Sequence, residues 1–99
     1  MTEVTVTDLD ALSEALLRLK APEEAERFLR DLLTPGEIKT ISERWRVACL
    51  LDQGGHSYRE ISELTGASTT TVTRVSRFLS QEPHQGYRLI LDRLKEQSS

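Results

Sequence analysis

Thr69, Thr70, Thr71, Thr73 and Arg74 crowd into six positions of this 99-residue sequence and carry its densest set of recognition chemistry. A threonine hydroxyl can donate or accept a hydrogen bond, its methyl can touch another methyl, and a guanidinium can grip a planar pair of acceptors or a phosphate. At a DNA major groove those capacities correspond to base edges, the thymine methyl, and guanine or backbone oxygens. Arg59 supplies a second cation upstream. Other chemistries lack their residues. No carboxylate pair, nucleophile with base, or cofactor loop stands out, so an enzyme is the least expected class. His56 and His84 stand apart from cysteines and carboxylates at ligand spacing, so no metal site is expected.

The elements that must position these residues are legible around them. In Ser57-x-x-Glu60 the hydroxyl can accept from the backbone N–H three residues on while the carboxylate reaches back, a capping box that starts a helix. Ile61 and Leu64 give that helix an apolar face, and Gly66 can end it in a left-handed conformation. Ser68 or Thr69 can cap a second helix whose Val72, Val75 and Leu79 recur at helical spacing, with Phe78 beside them. Two short helices joined by a glycine turn make a helix-turn-helix over residues 57–80. With the valines inward, the threonines and Arg74 lie at the outward N-terminal end, the end that enters the major groove in this motif. An ordinary helical hairpin with a threonine-rich surface is the plainer alternative. The agreement of Ile61, Gly66, Val72 and Val75 in spacing favours DNA binding.

The remainder of the chain reads as helices that build a scaffold. Residues 1–33 hold two leucine-rich segments: Leu9, Leu12, Leu16 and Leu19 after a cap at Thr7 or Asp8 and a frayed start over Met1 to Thr7, then Ala25, Phe28, Leu29, Leu32 and Leu33 after Pro22. Thr34-Pro35-Gly36-Glu37 is a second capping box, opening a central helix over 34–54 that ends at Gly54-Gly55. Those two glycines suit a helix end, since no strand precedes them and no Lys-Ser or Lys-Thr follows. Tyr87, Ile90, Leu91 and Leu94 mark a last helix over 84–96. The expected fold is all-α, about six helices in one domain spanning 1–99.

Charge is unevenly placed. Residues 1–33 carry eight acids and four bases, whereas residues 34–99 carry eight acids and nine bases. A net charge of −3 argues against a protein that coats nucleic acid, because non-specific affinity comes from neutralising phosphates. The basic side chains Arg59, Arg74 and Arg77 nevertheless gather on the motif. One cysteine, Cys49, lies among apolar neighbours and leaves no disulfide partner. No apolar run is long enough to span a membrane, and the N-terminus lacks a basic-then-apolar leader pattern, so a cytoplasmic location is expected.

From Leu32 to Leu79 the chain resembles the tryptophan repressor family. The resemblance rests on Leu32-Leu33-Thr34-Pro35, Arg44 and Arg46, Gly54-x-x-Ser57, Arg59-Glu60, Leu64-x-Gly66-Ala67 and Thr71-Val72-Thr73-Arg74. It implies an intertwined all-α homodimer, with residues 1–33 as dimerisation helices and two helix-turn-helix motifs facing successive major grooves. It implies DNA contacts at Thr69, Thr70, Thr71, Thr73 and Arg74, with Arg59 on the DNA backbone. The family's tryptophan lies between two arginines that correspond to Arg44 and Arg74. Where the family pattern has a glycine and then a serine beside the second arginine, this chain has Val75 and Phe78. A valine fills space and a phenyl removes a hydroxyl while adding bulk, so Arg44, Arg74, Val75 and Phe78 read as the remnant of an effector site. No tryptophan corepressor is expected, and the chain resembles the less characterised branch of the family more than the tryptophan sensor.

Two explanations of Val75 and Phe78 stand side by side. Both side chains can be plain core, or they can occupy the volume a corepressor would fill and hold the second helix ready without ligand. The functional expectation is a homodimeric, sequence-specific transcription regulator acting on a duplex operator, most simply a repressor. A dimeric helical adaptor that docks on another protein is the rival class. It would agree with the acidic N-terminal third.

Overall fold

A computed structural model describes the backbone of residues 2–98 and the side chains of residues 7–97. The described residues form six α-helices and no strand: α1 (Thr2–Leu16), α2 (Pro22–Leu32), α3 (Pro35–Gln53), α4 (Tyr58–Thr65), α5 (Thr69–Ser80) and α6 (Gly86–Ser98). The chain divides into two compact units, residues 1–38 and 39–99.

In the first unit, helix begins earlier than the sequence predicts. Thr7 and Asp8 are interior to α1 rather than caps, and the expected frayed start is helical from Thr2; Met1 lies outside the described residues. The β-branched residues there cost only a few tenths of a kcal/mol each in a helix, and no proline or glycine interrupts the run. The leucine stripe also ends sooner. Beyond Leu16 the chain tightens, with Arg18 N–H donating to the Ala15 carbonyl and Leu19 N–H to that of Leu16, so Leu19 falls outside the helix. Pro22 takes the first position of α2. Ala21 has no side chain with which to cap it, and Glu24 instead accepts from the Lys20 N–H at 2.9 Å.

Both capping boxes form. Glu37 N–H donates to Thr34 Oγ1 at 3.1 Å while Thr34 N–H donates to Glu37 Oε1 at 2.8 Å. Ser57 and Glu60 make the same reciprocal pair at 3.1 and 2.7 Å. These backbone donors hold both glutamate carboxyls below their ordinary range. Gly66 closes α4 at φ +83°, where a side chain would be strained, and its N–H donates to the Ser62 carbonyl.

The second unit holds the core. Val47 and Ala48 of α3, Ile61 of α4, Ala67 of the turn, and Val72 and Val75 of α5 are buried together, with Trp45, Leu50, Leu51 and Tyr87 packed around them. Leu91 of α6 is buried as well. Ala48, Val72 and Val75, small or β-branched, share this cluster with Ile61. Each fully buried aliphatic side chain contributes about 1.5–3 kcal/mol.

Polar contacts fix α6. Asp52, near the end of α3, has a side chain only 11% exposed; it accepts from Lys95 Nζ at 2.8 Å and from Arg88 Nη2 at 2.7 Å. Hydrogen bonds from Lys95 and Arg88 hold its carboxyl below the usual range. A depressed folded pKa means that the contribution is present above the unfolded value of about 3.9 and is lost as pH falls through the lower folded value. Because both cations remain partly solvated, Asp52→Asn is expected to lower unfolding free energy by about 1–2 kcal/mol at pH 7. Urea unfolding at several pH values checks this, and the gap from wild type should narrow below about pH 4. The helix itself starts at Gly86, two residues after the predicted 84. Pro83 and His84 form a turn, and Gln85 takes a positive φ of 53°.

Candidate nucleic-acid interface

Helix α5 starts where Ser68 leaves the extended region and accepts from the Thr71 N–H at 3.1 Å, so Ser68 rather than Thr69 is the cap. This local choice sets the chemistry of the threonines. The Ser68 hydroxyl also donates to Thr71 Oγ1 at 3.1 Å, which leaves Thr71 its own proton to donate outward. Thr73 donates back to the Thr69 carbonyl at 3.0 Å, so its oxygen is left as an acceptor. Thr69 and Thr70 are exposed and their hydroxyls have no partner among the described residues. The four side chains therefore offer three different hydrogen-bonding states within one helical turn and a half.

The relation of α4 to α5 is held at three points. Ile61 packs on Val72 and Val75 beneath both helices. Ser62 Oγ donates to the Ala67 carbonyl at 2.5 Å across the turn, and Thr65 Oγ1 accepts from the Ala67 N–H at 3.1 Å. Farther out, Tyr58 OH donates to Ser76 Oγ at 2.6 Å. A motif pinned at its core, its turn and its open end presents α5 as a rigid body.

Electrostatics single out two of the three arginines on these helices. Arg77 Nε lies 3.5 Å from Glu82. Arg59 and Arg74 are exposed and have no carboxylate partner among the described residues. Arg74 is not loose, however, since its guanidinium carbon lies 4.3 Å from the centre of the Phe78 ring. Arg77 approaches the same ring at 5.3 Å.

The remaining residues of the expected effector site part company. Val75 is buried in the core. Phe78 is half-buried; Arg74 lies over its ring, and it borders an apolar groove of about 510 Å³ lined also by Trp45, His84, Tyr87 and Ile90. Arg44 is half-buried on α3, and its Nε is enclosed without a hydrogen-bond partner among the described residues. Cys49 is partly buried; burial first and Asp52 second push its thiol up, so it is protonated and unreactive near neutral pH. Sequence reasoning did not find the Tyr58–Ser76 bond, the Trp45–Tyr87 stack at 6.4 Å or the pairing of Arg77 with Glu82. Tyr87 carried only the signal of an apolar stripe, and neither hydroxyl in Tyr58–Ser76 has a local pattern that names its partner.

Known proteins resemble this chain in sequence and in fold. The family model described as Trp repressor protein matches residues 7–95. The uncharacterised protein YerC of Bacillus subtilis (strain 168) is 43% identical over 89 residues, covering 90% of this chain and 84% of its own. A Trp operon repressor homolog of Vibrio atlanticus (strain LGP32) is 31% identical over 75 residues, 76% of each chain. Among solved structures, a TrpR-like protein from Eubacterium eligens ATCC 27750 superposes with a TM-score of 0.84 at 36% identity, covering 96% of both chains. A candidate Trp repressor from Staphylococcus aureus gives 0.82 at 40% identity, covering 90% of this chain and 87% of that one.

Proposed function

We propose, from the premise that this chain belongs to the Trp repressor family and is by kind a DNA-binding transcription regulator, that it acts as a homodimeric repressor of a palindromic operator and needs no tryptophan. The observation that carries this reading is the N-terminal end of α5. Among the described residues, the Thr69 and Thr70 hydroxyls there are unengaged, Arg74 has no carboxylate partner, and Arg59 stands without one on α4. Base contacts come from the threonines and Arg74, and Arg59 takes a phosphate.

Dimerisation is supported by what the chain leaves uncovered. No described side chain of residues 7–38 is buried, and Leu9, Leu16, Leu17 and Leu32 are exposed, Leu17 by 74%. Leucines in such number outside any core are the mark of an interface. A second copy would cover them and would also double the DNA contacts of a weakly basic motif. Independence from tryptophan is supported by Val75, which is committed to the core, and by Phe78, whose ring already lies against Arg74.

Selection from a random duplex pool with ligand-free protein at about physiological salt tests the whole reading. Enrichment of an inverted repeat, with half-sites centred roughly 34–36 Å apart or a multiple of that, is the expected result. Added tryptophan should leave the affinity unchanged; a tenfold gain would overturn that part. In sedimentation at micromolar concentration the species should have about twice the 11.2 kDa chain mass. A folded dimer that enriches no sequence but captures a protein would support the adaptor class instead.

A further inference from the structure

We propose that Phe78 is a positioning residue for DNA recognition: its ring is the platform that holds the Arg74 guanidinium on the exposed face of α5. The inference rests on the DNA-binding reading of α5 and adds a residue that would itself touch no DNA. Residues 74 and 78 are one turn apart, and side chains on a helix lean toward its N-terminus, so the Phe78 ring projects back under the turn that carries Arg74. The guanidinium carbon is 4.3 Å from the ring centre, well inside the range in which the ring's negative face attracts a cation.

Phe78 is suited to this task by what holds it in turn. The ring is half-buried and borders the groove of Trp45, Tyr87 and Ile90, so part of it is turned away from solvent while Arg74 lies over it. Arg77 approaches the ring at 5.3 Å and could compete for it, but Glu82 lies 3.5 Å from Arg77 Nε and offsets its charge. Arg74 has no such carboxylate among the described residues. Its charge is available to DNA while its rotamer freedom is already reduced, so less conformational entropy is lost on binding.

The test is a double-mutant cycle on operator affinity, using the sequence recovered by duplex selection. Phe78→Leu keeps an apolar side chain and removes the ring face; it should weaken binding about two- to fivefold, the range of an exposed cation–π contact. The salt dependence should stay unchanged, because Arg74 still carries its charge. Phe78→Tyr should restore wild-type affinity. In an Arg74→Ala background Phe78→Leu should have no further effect. A loss of equal size in that background, or a Phe78→Leu protein that binds like wild type, overturns the proposal while leaving the operator reading intact. If Phe78→Leu does not fold, Phe78→Tyr and Arg74→Ala still decide: a tyrosine variant that binds fivefold more weakly while folding normally overturns it. Wild-type protein that binds no duplex overturns both.

Discussion

Ile61→Ala is expected to lower the free energy of unfolding by about 3 kcal/mol, within the roughly 2–5 kcal/mol range for truncating a buried isoleucine. Ile61 is fully buried and lies where α3, α4 and α5 converge on Val47, Ala48, Val72 and Val75. The β-branched valines have stiff side chains and cannot swing in to fill the space left behind. Relaxation is therefore small and the cost stays near the middle of the range. A domain of this size has roughly 5–15 kcal/mol in all, so the variant folds but unfolds at a markedly lower urea concentration, with an unchanged slope. A midpoint shift worth less than about 1 kcal/mol would mean that the helices collapse onto the cavity, and that the junction is softer than its burial implies. Operator affinity is a second readout, because Ile61 also sets the angle between the two helices of the motif.

Arg74→Ala carries the largest expected effect on DNA binding, about 1–3 kcal/mol, or roughly 5- to 150-fold in affinity. The pattern of the loss tells what Arg74 touches. If its guanidinium reads a guanine, specificity relaxes at one position of each half-site; if it holds a phosphate, affinity falls for all sequences and the salt slope shrinks by about one per site. Arg77→Ala is the control, since its pairing with Glu82 leaves it less charge to offer and a surface pair contributes about 0–1 kcal/mol. Competition binding against a panel of single-base operator variants separates these outcomes. Equal losses from Arg74→Ala and Arg77→Ala would argue that only the summed charge of α5 matters.

What could be read from residues in order was local. Thr34 with Glu37 and Ser57 with Glu60 close their hydrogen bonds across three residues, so both boxes were visible as spacings. Gly66 and the valine spacing of α5 likewise depend on one turn of backbone, and they place Thr69, Thr70, Thr73 and Arg74 on the outer face. Where local rules left a tie, the sequence misjudged or could not choose. Thr7, Asp8 and the residues before them could equally begin a helix or continue one, and Ser68 and Thr69 are both good caps. The start of α6 was set too early because Pro83 and Gln85, which shape the turn, lie close to a stripe that begins only at Tyr87.

By itself, then, the order of residues determined six helices, their main boundaries and the motif that carries Thr69 to Arg74, because hydrogen bonds and apolar faces that repeat within a turn are written in adjacent positions. The tertiary structure decided the rest. Asp52 joins Arg88 and Lys95 across 36 and 43 positions, Tyr58 reaches Ser76 across 18, and Phe78 shares a groove with Trp45 and Tyr87 only because their helices come together. Such contacts depend on where helices pack, a sum of many weak interactions that no single spacing encodes.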